Sequence, residues 1–177
     1  MAKSPSQAKN AILRCLRGIV DPYPTKTAVA RVWEFFESKC AYCGHEMKRS
    51  DRKGHQDHLI AFKDGGANDL GNYVLACGTC NGDEKLAESW ETYLRRKNPD
   101  DAIFLDRKAK IEEWVALNAP NRRHIPDDQR RAVLDAFERI ASELDVAVAR
   151  LRSMKPPNPK KAMSKARRAP RRNTQGS

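Results

Sequence analysis

Four cysteines are spaced to bind one metal ion. Cys40 and Cys43 form one C-x-x-C motif and Cys77 and Cys80 form a second, with 33 residues between the motifs. This spacing lets both thiolates of a turn reach one ion, and two such turns complete a tetrahedral zinc site. The alternatives are buried free cysteines or a redox C-x-x-C, but a redox motif does not explain why there are two. We predict a structural zinc site, closed to substrate.

A second group of reactive residues lies between the cysteine pairs, in the stretch GHQDHLIAFKDGG from Gly54 to Gly66. His55, Asp57 and His58 fall within four positions, a pattern that fits a polar strand end, a metal site or a hydrolytic centre. A neutral imidazole is a suitable general base near pH 7, because its pKa of roughly 6.5 lies close to that pH. Since the cysteines already supply four zinc ligands, these residues are free for other chemistry.

The order of motifs resembles the HNH endonucleases, whose ββα-metal core is often held together by two C-x-x-C turns. The resemblance rests on Cys40 and Cys43, on DHLIAFKDGG from Asp57, on GNYVLAC from Gly71, and on the Cys80-Asn81 pair. It covers about residues 40–97. It implies a metal-dependent nuclease that hydrolyses phosphodiester bonds in DNA.

The resemblance also assigns roles to individual residues. It implies that His58 is the general base that activates water, and that Asp57 and Asn81 hold one divalent ion. Oxygen ligands of this kind suit Mg²⁺ or Mn²⁺. Asn72 is implied to tie the loop between two strands and to orient the histidine. Adjacent strand residues face opposite ways, so we expect Asp57 and His58 to lie where their strand bends or ends.

This chain departs from the family pattern at three positions. Asn81 stands where histidine is frequent, Phe62 stands near the usual proline, and the lysine after Asn81 comes at the fourth position rather than the third. That residue, Lys85, is predicted either to reach a phosphate or to be a plain surface lysine. His45 is a weaker candidate for a phosphate contact and His55 for a phosphate or metal contact, while His124 is expected to be a surface residue. The three basic residues Arg95, Arg96 and Lys97 either suit the C-terminal end of their helix or extend a DNA-facing surface.

Charge points to a polyanionic partner. The formal net charge is +11, and the segment from Leu151 to the C-terminus carries nine Lys or Arg and no acidic residue. This segment is either a solvated end or a disordered arm that binds phosphates, and the two interpretations are compatible. Its candidate nucleic-acid contacts are Arg167, Arg168, Arg171 and Arg172. A non-catalytic zinc-knuckle binding module and an RNA nuclease are the alternative functions.

Hydrophobic periodicity predicts a mostly helical α+β chain. The resemblance implies that these helices surround a small ββα-metal core held by the four-cysteine zinc site. We expect helices over Ser6–Val20, from Thr25 or Thr27 to Lys39, over Cys80–Lys97, Ala102–Asn118 and Asp127–Arg152, with strands over Gly54–Phe62 and Tyr73–Ala76. The expected division is N-terminal helices over 1–39, a nuclease core over 40–97, C-terminal helices over 98–152 and a basic tail over 153–177. Cys15 is expected to be a buried thiol.

The last predicted helix carries an apolar stripe that either packs on its own domain or forms a homodimer seam through residues 127–152. No apolar run approaches the roughly 20 residues needed to span a bilayer. The N-terminus lacks the apolar stretch of a secretory signal. We therefore expect a cytoplasmic protein with reduced cysteines and no membrane partner. The family resemblance implies a bacterial or phage origin.

Overall fold

A computed structural model describes residues 4–51, 53–86 and 88–154 of the chain. The described residues form a mostly helical α+β fold, as the sequence predicted, with a small two-stranded sheet. The elements are α1 (Pro5–Val20), α2 (Lys26–Phe35), β1 (Gly54–His58), β2 (Tyr73–Cys77), α3 (Trp90–Lys97), α4 (Asp101–Asn118) and α5 (Asp127–Ser153).

Side-chain caps set the starts of the helices. Ser4 and Gln7 form a reciprocal capping box at the start of α1, and Thr25 accepts a hydrogen bond from Ala28 N at the start of α2. Helix α2 ends at Phe35, earlier than the predicted Lys39. Glu37 and Ser38 have positive φ angles of 52° and 58°, which a right-handed helix cannot accommodate.

The sheet is a short antiparallel pair in which Gly54 pairs with Cys77 and His58 pairs with Tyr73. Strand β1 ends at His58, before the predicted Phe62, because the chain then turns into a loop. All five residues of β2 are buried. Strand β1 therefore lines the site, whereas β2 lies in the hydrophobic core.

Two hydrophobic clusters hold the fold together. The larger joins α2, β2, α3 and α4, with Val32, Leu75, Leu94 and Ile111 fully buried. The smaller surrounds Phe62 and includes residues from α1 and α5. Helices α1 and α5 pack against each other, so part of the apolar stripe of α5 is covered within this chain: Val133 is buried, whereas Ile140 and Leu151 are exposed. Dimerisation through residues 127–152 stays a prediction.

The predicted continuous helix from Cys80 to Lys97 is wrong. A π-helical turn spans Thr79–Glu84, Leu86 has a φ of 48°, and α3 then begins at Trp90 with Ser89 as its cap. The break follows from Lys85, whose side chain is buried against β1 instead of lying on a helix surface.

Two further predictions concern the exposure of Cys15 and the absence of a membrane-spanning helix. Cys15 is exposed, so the prediction of a buried thiol is wrong; the apolar side of α1 that packs inward carries Leu13, Leu16 and Val20 instead. Among the helices that the structure describes, none is long and apolar enough to cross a bilayer.

Candidate active site and metal centre

The four cysteines converge as their spacing predicts. The sulfur atoms of Cys40, Cys43, Cys77 and Cys80 all lie within 4.8 Å of one another. Gly44 closes the first turn with a φ of 73°, and its amide donates to Cys40 O at 2.8 Å. The second turn joins the end of β2 to the π-helical turn. The site therefore ties α2, the sheet and the segment that carries Asn81 to one point.

The donor set of this cluster fits zinc. Four sulfurs from two turns match the tetrahedral arrangement of structural zinc sites. Hydrogen bonding between the thiols of the first turn lowers the pKa of Cys43 and raises that of Cys40 to about 11. A bound zinc ion would stabilise all four as thiolates, so metal binding and folding are coupled here.

Beside the cysteine cluster lies an open cleft of about 710 Å³ between β1 and α1. His58 and Gln56 of β1 line it together with Asn81, and Arg14 and Arg17 of α1 form the opposite wall. The cleft thus brings a candidate base, a candidate metal ligand and cationic side chains to one place. Arg14 is exposed and forms no ion pair within the described ranges.

His58 is partly buried at the end of β1. Its Nε2 atom lies 3.0 Å from Asn68 Oδ1, and its ring packs on Tyr73 with centroids 4.4 Å apart. Burial lowers the pKa of His58, and the neighbouring positive charge of Arg17 lowers it further. Both effects keep the imidazole neutral at pH 7, which is the state a general base needs.

Asp57 points away from His58, into the buried side of β1. Its Oδ2 atom accepts a hydrogen bond from Tyr42 Oη at 2.7 Å and an ion pair from Lys85 Nζ at 3.1 Å. Its Oδ1 atom has no hydrogen-bond partner among the described residues, and it is not fully enclosed. One carboxylate oxygen remains for a cation, but Asp57 does not line the cleft that His58 and Asn81 line, so the fit to the predicted metal site is partial.

Lys85 was predicted as a phosphate contact, and its position in the structure does not fit that role. Its side chain is only 7% exposed, and the amine donates to His58 O at 3.0 Å as well as pairing with Asp57. An amine held in this way is not available to a nucleic acid. The fourth-position spacing after Asn81 therefore places this lysine under β1, where it supports the strand from inside.

Asn72 ties the loop that follows β1. Its amide donates to Ile60 O and Ala67 O at 2.9 Å each, and its oxygen accepts from Ile60 N at 2.8 Å. A β-carbon at Gly66 would meet Ile60 O at 1.9 Å, so only glycine fits beside this contact. Gly65 has a φ of 96°. The Gly-Gly pair lets the loop fold back onto Asn72.

Comparison with known proteins bears on this arrangement of cysteines, histidine and loop. Residues 40–85 match the family model described as HNH endonuclease. These residues form an HNH domain. The chain is also 31% identical over 94 residues to "SPbeta prophage-derived putative HNH endonuclease YoqL" of Bacillus subtilis (strain 168). That alignment covers 46% of this chain and 37% of the relative's length.

Sequence reasoning missed the residues that contact the candidate base from outside the HNH motif. Asn68 bonds the imidazole, and Asp21 holds Asn68 from the end of α1. Arg17 forms an ion pair with Asp21 at 3.0 Å. In the sequence, Asp21 opens the proline-rich stretch DPYP, which indicates only the end of a helix. The contact of the buried Asp21 carboxylate with Asn68 leaves no local sequence pattern, because the two residues are 47 positions apart.

The remaining candidates lie around the edges of the HNH domain. His45 and His55 are exposed and line a second cavity beside the cysteines, and His55 also lines the cleft. His124 is exposed on the connection between α4 and α5.

The three basic residues that end α3 each pair with a carboxylate of this chain: Arg95 with Asp101, Arg96 with Glu88 and Lys97 with Glu84. Arg167, Arg168, Arg171 and Arg172 lie outside the described residues.

Proposed function

We propose that this protein is a metal-dependent endonuclease that hydrolyses phosphodiester bonds in DNA, with His58 as the general base. The observation that carries the proposal is the state of His58 in the cleft. One ring nitrogen is engaged by Asn68, the other is left for the cleft, and burial keeps the ring neutral. Family membership of residues 40–85 supports nuclease chemistry.

In the proposed reaction, His58 removes a proton from a water molecule in the cleft. The resulting hydroxide attacks phosphorus, and the bond between phosphorus and the leaving oxygen breaks; the leaving oxygen keeps the bonding electron pair and takes a proton from solvent water. The imidazole carries the transferred proton until it is released to solvent. A neutral base whose pKa lies at or below working pH is ready for each turnover without first losing a proton.

We propose that Asp57 and Asn81 would together hold one divalent ion, Mg²⁺ or Mn²⁺, with Asn81 contributing from the cleft and Asp57 contributing the carboxylate oxygen that Tyr42 and Lys85 do not engage. Such an ion stabilises the negative charge that develops on phosphate and on the leaving oxygen. Lys85 and Tyr42 fix the other oxygen of Asp57, which limits the carboxylate to one position. The cysteine cluster places Asn81, since Asn81 directly follows Cys80 in the chain.

Substrate binding is assigned to positive charge on the cleft wall and on the C-terminal segment. Arg14 is the exposed cation of α1 that lines the cleft. The arginines at 167, 168, 171 and 172 would add contacts with the phosphate backbone that carry no sequence information. Net charge alone does not distinguish DNA from RNA, so DNA is the part of the proposal that rests on family resemblance.

Replacing Arg14 with glutamine is expected to weaken DNA binding while leaving the chemical step intact. A single lost phosphate contact should raise KM about tenfold, which corresponds to about 1.4 kcal/mol, and reduce the salt dependence of binding by about one charge. The matched control is Arg31→Gln, an exposed arginine of α2 that does not line the cleft. Equal KM values for both variants would remove Arg14 from the binding surface.

The proposed function is tested by incubating purified protein with supercoiled plasmid and Mg²⁺ or Mn²⁺, with a chelated control. Conversion to nicked circles that requires the added ion supports it. Plasmid that stays intact across these metals, yet is retarded by the protein in a gel, would identify a binding module instead. The observation that favours a binding module is the Asp57–Lys85 ion pair, which reduces the charge available to a cation.

A further inference from the structure

We propose that Asn68, held in place by Asp21, is a positioning residue that fixes His58 as the tautomer with its proton on Nε2. The lone pair of Nδ1 is then the one presented to the cleft. The catalytic meaning of this arrangement rests on the proposed function, but the arrangement itself can be measured without any nuclease assay. Neither Asp21 nor Asn68 belongs to the motifs that indicated an HNH domain.

The orientation of the Asn68 amide is determined by its partners. Its Nδ2 atom donates to the backbone oxygen of Asp21 at 2.7 Å, and a carbonyl oxygen can only accept. The Oδ1 atom therefore faces the opposite way, where it accepts from Tyr73 Oη at 2.5 Å. The same oxygen lies 3.0 Å from His58 Nε2. Since an amide oxygen cannot donate, Nε2 must carry the hydrogen.

The other neutral tautomer is disfavoured by electrostatics. It would place the lone pair of Nε2 against the lone pairs of Asn68 Oδ1 at hydrogen-bond distance, and two buried acceptors facing each other cost free energy. The charged groups that face His58 are Arg17 from α1, Asp57 beside it and Asp21 beyond Asn68. The Nδ1 atom has no hydrogen-bond partner in the described part of the chain and is not enclosed.

Asp21 makes Asn68 rigid. Asp21 is 1% exposed, and its two carboxylate oxygens accept from Asn68 N at 3.0 and 2.8 Å. Arg17 and Arg123 each pair with this carboxylate at 3.0 Å. Asn68 is thus held by both its backbone and its side chain, from one residue.

This network makes the candidate base depend on segments outside residues 40–85. Asp21 ends α1, and Arg123 comes from the connection between α4 and α5. Arg123 also donates to Asn68 O at 2.5 Å. The helices that flank the HNH domain therefore do more than cover it, because they set which nitrogen of His58 faces the cleft.

The tautomer is measured by ¹⁵N NMR of the histidine rings in the full chain, with His58 identified by its absence in His58→Gln. We expect a protonated, pyrrole-like Nε2 and an unprotonated, pyridine-like Nδ1. The reverse pattern in the wild-type protein would overturn the proposal, whether or not any variant folds. A wild-type protein that shows the expected pattern but never cleaves DNA would overturn the proposed function and leave the arrangement standing.

Asn68→Leu removes the acceptor while keeping a similar volume. We expect a mixture of tautomers and a fall in kcat of about tenfold to a hundredfold, with KM changed less than threefold, because the base is misdirected and the binding wall is intact. The matched control is Asn118→Leu, another buried asparagine, which lies outside the cleft and whose amide, among the residues that the structure describes, bonds Trp114 O alone. Equal kcat and an unchanged tautomer in Asn68→Leu would contradict a positioning role.

Discussion

Cys77→Ser is expected to empty the four-cysteine site and to unfold the HNH domain. Apparent binding free energies of structural zinc are about 10–16 kcal/mol in small domains, as large as the whole stability of an ordinary domain, about 5–15 kcal/mol. The cluster joins the turn after α2 to the end of β2, and the fully buried Cys80 belongs to the main hydrophobic core. Losing the ion therefore separates elements that hydrophobic burial alone holds weakly.

The measurement is zinc content by mass spectrometry together with thermal unfolding, with and without a strong chelator. The wild-type protein should hold about one zinc per chain, as one four-cysteine cluster requires. The matched control is Cys15→Ser, which removes an exposed thiol outside the cluster and should keep both zinc and Tm. Full zinc content in Cys77→Ser would contradict the assignment, as would equal losses in both variants.

Lys85→Met is expected to destabilise the protein by about 3–5 kcal/mol, because it leaves the Asp57 carboxylate buried without its partner. Both side chains of the pair are nearly enclosed, at 7% and 11% exposure. Methionine has a similar length, so packing changes little and the unpaired charge dominates. The lysine also loses its hydrogen bond to His58 O.

This effect is measured as the free energy of unfolding in urea. The matched control is Lys97→Met, which breaks the more exposed ion pair with Glu84 and should cost less than about 1 kcal/mol. Similar losses for the two variants would mean that Lys85 behaves as a surface lysine. Restoring stability with Asp57→Asn in the Lys85→Met background would confirm that the carboxylate is the source of the cost.

The cysteine cluster was predictable from sequence because its geometry is local within each turn. Two residues between cysteines fix how a single turn can present its sulfurs, and only the meeting of the two turns is long-range. Helices α1, α4 and α5 were also predicted within a residue of their observed bounds, since their apolar periodicity and caps are local patterns.

The surroundings of His58 were not predictable in the same way. Asn68 and Asn72 are four positions apart in one loop, and sequence reasoning gave the orienting role to Asn72 alone. In the structure Asn72 bonds the loop backbone, whereas Asn68 bonds the imidazole. The difference depends on Asp21, which reaches Asn68 from 47 residues away. A pattern of neighbouring residues cannot indicate a contact between positions 47 residues apart.

The prediction of a continuous helix after Asn81 failed for a related reason. Helix propensity favours a continuous helix from Cys80 to Lys97, but burial of the Lys85 amine between Asp57 and His58 O outweighs it. Sequence reasoning treated this lysine as a surface residue because lysine is rarely buried. Its burial follows from Asp57, whose carboxylate lies on the buried side of β1 and pairs with the lysine there.

The most direct test of the account is single-turnover cleavage of supercoiled plasmid by the wild-type protein and by His58→Ala, in Mg²⁺ or Mn²⁺, with both proteins shown to bind the DNA. General-base removal should slow the chemical step by about 10²–10⁴-fold, while His124→Ala, an exposed histidine outside the cleft, should cleave at the wild-type rate. Nicked circles should appear with the wild-type protein and not with His58→Ala. Equal cleavage by both, or intact plasmid with both while binding persists, would contradict it.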